Sequence, residues 1–122
     1  MKKILVVEDN PRDKEAIVAF FKRSFDCEIT TTESIPIARS LLLGNTMFDI
    51  VVLDSIIKGF QNGGIGKSLL PVIREGLSHD AVVMRFTKDP EHFQEAKANG
   101  MLVLDSTVLE GEHYFNENYN VV

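Results

Sequence analysis

The chain has 122 residues, of which 44% are hydrophobic and 25% charged, the mix of a single globular domain rather than of a disordered chain. A net charge of −5 excludes a protein that grips nucleic-acid backbone, and no run of about 18 apolar residues exists to span a membrane. The lone Cys27 excludes an internal disulfide and a cysteine-based zinc site, and no signal-peptide core follows Met1, so one domain over 1–122 is expected, in the cytoplasm.

The hydrophobic period switches repeatedly between short apolar runs and helical spacing. Residues 4–7 (ILVV) form a continuous run, as in a strand covered on both faces. Asn10-Pro11 then reads as an N-cap followed by proline at the first helical position, and Ile17, Phe20, Phe21 and Phe25 recur on one helical face. Residues 27–31 alternate and carry β-branched side chains, which predicts a strand of lower burial. Ser34 caps a second helix, with Ala38, Leu41 and Leu42 facing inward and Gly44 ending it. The run 48–53 is the most apolar and is expected at the centre of the sheet. The glycine-rich stretch 58–66 predicts a loop, and 67–75 a third helix in which an interior Pro71 would remove one backbone hydrogen bond. A fourth strand is expected over 81–86. Asp89-Pro90 opens a helix that Asn99-Gly100 stops, 101–104 is a fifth strand, and the asparagine-rich tail from Gly111 supports only a short or irregular last helix.

Strands separated by helices imply right-handed βαβ units and an α/β fold with a parallel sheet covered on both faces. Functional groups in such sheets lie beyond the carboxyl ends of the strands. Strand one ends in Glu8-Asp9, strand three in Asp54, strand four in Thr87-Lys88 and strand five in Asp105-Ser106. Crowded carboxylates repel unless a cation neutralises them, and an all-oxygen set without histidine or cysteine suits Mg²⁺. A carboxylate whose charge is screened in this way is also a nucleophile toward phosphorus.

The segments KILVVEDN (3–10), FDIVVLD (48–54) and VMRFT (83–87) resemble the receiver domain of two-component response regulators, and the resemblance runs over almost the whole chain. It implies a flavodoxin-like (βα)5 fold, a doubly wound sheet in strand order 2-1-3-4-5. It implies that Asp54 accepts a phosphoryl group from a sensor histidine kinase or phosphotransfer protein. It further implies that Glu8, Asp9, Asp54 and the backbone carbonyl of Ile56 hold Mg²⁺, and that Thr87 is the switch hydroxyl. The chemistry would be self-phosphorylation and dephosphorylation only, not that of a turnover enzyme, and a downstream protein would read the signal.

The chain departs from the family where a lysine and a proline are expected after strand five: Asp105 takes the lysine position if two residues are deleted after Gly100, and Thr107 takes it if none are. Lys88, directly after Thr87, and Lys58 are then candidates to contact the phosphoryl oxygens. The aromatic residue expected within strand five is also replaced, by Leu102 or Leu104. Two readings follow: a phosphoacceptor receiver, or a degenerate receiver that serves as a phosphorylation-independent interaction module; a fragment of a longer regulator is a third. Gly66-Lys67-Ser68 does not complete a P-loop, because Gln61 stands where its first glycine is required. The three histidines are scattered without ligand spacing.

Overall fold

In a computed structural model, which describes residues 1–54, 64–87, 97–98 and 100–105, the chain alternates strand and helix. The elements are β1 (Lys2–Val7), α1 (Pro11–Ser24), β2 (Cys27–Thr32), α2 (Ile35–Leu43), β3 (Ile50–Asp54), α3 (Gly64–Glu75), β4 (Val82–Thr87) and β5 (Leu102–Asp105). The five strands form one parallel sheet in the order β2-β1-β3-β4-β5, the flavodoxin-like arrangement expected from the sequence. The apolar strands β1 and β3 lie side by side inside it, and the half-exposed β2 closes one edge.

Strand alternation divides the core into two layers. Leu5, Val7, Val51, Leu53, Val83 and Val103 face α2 and α3, where they meet Ala38, Leu42, Leu69 and Ile73. Ile4, Val6, Ile50, Val52, Met84, Phe86 and Leu104 face α1 and pack on Ile17, Phe20 and Phe21. Phe20 meets Phe21 edge-on at 5.5 Å between ring centroids, and Phe25 stacks on Phe21 at 6.1 Å. The inward faces predicted for α1 and α2 are thus the buried ones, with Leu41 and Phe25 half-covered at their rims.

The predicted caps form. The Asn10 side chain accepts hydrogen bonds from the N–H groups of Arg12 (2.9 Å) and Asp13 (3.2 Å), and Ser34 Oγ accepts from Ile37 N–H (3.3 Å). Gly100 has φ +74°, in the left-handed region that favours glycine, and its N–H donates to Lys97 O, as suits a helix stop.

Several boundaries differ from the sequence reading: β1 begins at Lys2 rather than Ile4, β2 extends to Thr32, and β4 runs one residue later than expected. Helix α3 begins at Gly64 rather than Lys67, so 64–66 are not loop. Glycine is tolerated in a first turn, whose N–H groups have no intrahelical partner, and the burial of Leu69 and Ile73 holds the helix against β3. Pro71 lies inside α3 on an exposed position, where its ring meets solvent and it forfeits one backbone bond. Strand β3 begins at Ile50 rather than Phe48, because Phe48 N–H donates to Ser78 Oγ (2.8 Å) instead of to a neighbouring strand. Strand β5 runs one residue later than expected and ends on Asp105. The helix expected from Pro90 (apart from the helical residues 97–98), Phe93 and the tail lie outside the described residues.

Ser78 is 1% exposed and carries the acceptor for a buried N–H. We expect Ser78→Ala to lower the unfolding free energy by about 1–3 kcal/mol, the cost of an unsatisfied buried donor, read as a shift in the urea midpoint at unchanged slope.

Candidate metal centre

Two neighbouring parallel strands bring the acidic residues together. Val7 of β1 is in register with Leu53 of β3, so Glu8 and Asp54 are the next residues on adjacent strands. Glu8 stays tied to the sheet, since its N–H donates to Thr32 O of β2 (3.0 Å). Two residues later Asn10 caps α1, which leaves Glu8 and Asp9 as a short, pinned link between the ladder and the cap. One carboxylate oxygen from each of Glu8, Asp9 and Asp54 lies within 4.8 Å of the others.

Burial separates the three. Glu8 is 1% exposed, whereas Asp9 and Asp54 are half-buried. Neither carboxylate oxygen of Glu8 finds a hydrogen-bond donor among the described residues. Burial first, then the neighbouring Asp54 carboxylate, push the Glu8 carboxyl from its ordinary 4.5 up to about 10, with Asp13 and Asp9 adding to the repulsion. Without a cation, Glu8 therefore holds a proton through the neutral range. With a cation, the same two oxygens become ligands.

These residues fit a hard divalent ion. The donor set is all oxygen, and the buried, donorless carboxylate of Glu8 is aimed into the cluster, an arrangement that costs free energy unless a cation or a proton compensates it. The sequence reading of Glu8, Asp9 and Asp54 as one cluster is thus realised in space. Thr87 ends β4, the strand beside β3, and pairs in register with Asp105, so the carboxyl edge of the sheet carries both. Asp105 ends β5 among the described residues. Ile56, Lys58, Lys88 and Thr107 lie outside the described residues.

One charged residue escapes the sequence reading. Arg85, in the middle of β4, is only 8% exposed. The signal for it is a lone cation that interrupts the apolar run 82–86, at a position whose neighbours in register, Leu53 and Val103, are both core residues.

Solved structures share this architecture. The response regulator TrrA from Thermotoga maritima, in complex with Mg²⁺ and beryllofluoride, is 24% identical with a TM-score of 0.69, covering 96% of this chain and 98% of that one. The Mn²⁺-bound response regulator Rcp1 is 16% identical with a TM-score of 0.75, covering 100% and 97%. The receiver domain of a sensor histidine kinase from Pseudomonas aeruginosa, with magnesium in its active-site cleft, is 18% identical with a TM-score of 0.71, covering 95% of each chain. No family model matches the sequence, and no curated protein matches it. The fold is therefore that of the response-regulator receiver domain.

Because the folded Glu8 binds its proton more tightly than the unfolded one, the folded state holds more protons between pH 4.5 and about 10. Its contribution to stability is complete below pH 4.5 and is lost as pH rises toward 10. We expect the melting temperature of the metal-free protein to fall across that window, Glu8→Gln to flatten the fall, and added Mg²⁺ to stabilise the native chain increasingly as pH rises. A Glu8→Gln profile that matches the native one in scanning calorimetry would contradict the assignment.

Proposed function

We propose that this chain is a phosphoacceptor receiver unit of two-component signalling, with Asp54 as the residue modified. The observation that supports this most directly is the cluster of Glu8, Asp9 and Asp54 oxygens within 4.8 Å at the carboxyl end of a receiver-type sheet. The cluster sits where open parallel sheets place their chemistry.

Glu8 and Asp9, with Asp54 itself, would hold Mg²⁺, and the Ile56 carbonyl is the further ligand that the sequence resemblance implies. The ion would supply charge neutralisation for the carboxylates and the incoming phosphoryl oxygens. A carboxylate oxygen of Asp54 attacks phosphorus in line with the departing group. With a phosphohistidine donor, the P–N bond breaks, its electron pair stays on the ring nitrogen, and an acyl phosphate forms on Asp54. Water attack on phosphorus later breaks the acyl phosphate P–O bond, which returns the carboxylate and releases inorganic phosphate. Asp54 suits the nucleophile's role because it is the half-buried member of the pair it forms with Glu8. Thr87, one strand away, is assigned the hydroxyl that donates to a phosphoryl oxygen.

On this reading the partners are a sensor histidine kinase or phosphotransfer protein and a protein that reads the modified state, all in the cytoplasm. Among the described residues no helix is long and apolar enough to cross a membrane.

Incubation with acetyl phosphate and Mg²⁺ should add one phosphoryl group, about 80 Da by intact mass, that vanishes in Asp54→Asn and on omission of the metal. Label that persists on Asp54→Asn would move the nucleophile elsewhere. Metal binding with no adduct on the native chain would support the interaction-module reading instead.

A further inference from the structure

Because the strands are parallel, their starting ends share one edge, opposite the acidic cluster. Leu43 closes α2 at this edge, Met47 lies in the link to β3, and Leu77 lies in the link from α3 to β4. All three side chains are more than half exposed. Two contacts hold these links side by side. The Phe48 N–H donates to Ser78 Oγ, and a Cβ placed on Gly76 would lie 3.6 Å from Leu42 O. Folding does not account for the apolar choice at the three positions, because Leu42, Phe48 and Ser78 already fill the inward places beside them. Single exposed apolar side chains are ordinary, but three on adjoining segments make a patch.

The patch adjoins a cavity of about 250 Å³. The exposed Met47 and Leu77 and the buried Phe48 line it, and Lys2, Asp49 and Asp80 bring charges of both signs to it. Its volume falls below the roughly 300–1,000 Å³ of small-molecule sites and suits the insertion of an apolar side chain. Leu43, on the adjoining helix end, is an exposed projection of that kind. Lys2 forms no ion pair among the described residues, and Asp80 keeps 94% of its side chain exposed although His79 Nε2 lies 3.3 Å away.

A surface of one sign selects a partner of the other. Here a cation and two acids share an apolar centre, a cavity and a projection, and what such a surface complements is its own image. We propose that this edge docks a second copy of the chain about a twofold axis. Met47 and Leu77 form the centre of the contact, and Lys2 of each copy faces Asp80 of the other. The acidic cluster lies about 20 Å away, at the far end of the six-residue β1, so the pairing leaves Asp54 open in both copies and does not depend on the function assigned to it.

Sedimentation velocity of the full chain across the micromolar range tests this. The native chain should pass from monomer to dimer as concentration rises. Leu77→Glu and Met47→Glu, at exposed positions, should weaken the dimer at least tenfold with an unchanged circular dichroism spectrum. Ile37→Glu, at an equally exposed apolar position in the first turn of α2, should leave it unaltered. Lys2→Glu or Asp80→Lys alone should weaken pairing several-fold, and the two together should restore it, because each exchanged charge again meets its opposite.

A native chain that remains monomeric at every concentration overturns the proposal. So does a dimer that survives Leu77→Glu and Met47→Glu, or one that only Ile37→Glu disrupts, which would put the contact on another face. A double exchange no better than either single one overturns the twofold pairing of Lys2 with Asp80. A monomeric chain whose Met47 methyl resonance shifts with indole, used as a small apolar probe, would make the cavity a ligand pocket and refute the docking of a second copy.

Discussion

The site depends on a carboxylate placed where water cannot solvate it. Glu8 follows the last residue of β1 and keeps one more ladder bond, to Thr32 O, and its side chain is buried. The parallel register with β3 sets Asp54 beside it, and the cap at Asn10 holds Asp9 close. Burial and like charge raise the free energy of the ionised cluster, and a proton or a divalent cation relieves it. Much of the surrounding architecture serves to keep these groups from separating. The apolar strands β1 and β3 are packed from both faces, and α1 is fixed by Ile17, Phe20 and Phe21.

Much of this is written in local sequence. Continuous apolar runs at 4–7 and 48–53 identify interior strands because a strand covered on both faces cannot alternate, and Asn10-Pro11 and Ser34 start helices because their side chains replace missing backbone acceptors. The convergence of Glu8, Asp9 and Asp54 follows once the sheet is known to be parallel, since strand ends then share one edge. Where local sequence misleads, a distant residue decides the outcome. Phe48 leaves the ladder because Ser78, 30 residues away, offers its N–H a better-placed acceptor. Gly64 and Gly66 join α3 because Leu69 and Ile73, further along the same helix, find a buried place against the sheet, and tertiary packing outweighs the reluctance of glycine. Arg85 is easily missed because strand patterning ranks residues by hydrophobicity, and one cation inside an apolar run reads as noise until the sheet shows core residues on both sides of it.

The link between β1 and α1 has a further consequence. Only Glu8, Asp9 and Asn10 lie between the last strand residue, Val7, and Pro11 at the start of the helix, and both ends of the link are fixed by backbone or capping hydrogen bonds. This stretch accepts changes of residue type far more readily than changes of length. One inserted residue would either unseat Asn10 from the helix end or detach Glu8 from Thr32, and either would part the carboxylates. The spacing here is thus a ruler for the site, and the count of residues between strand and helix matters as much as their identity.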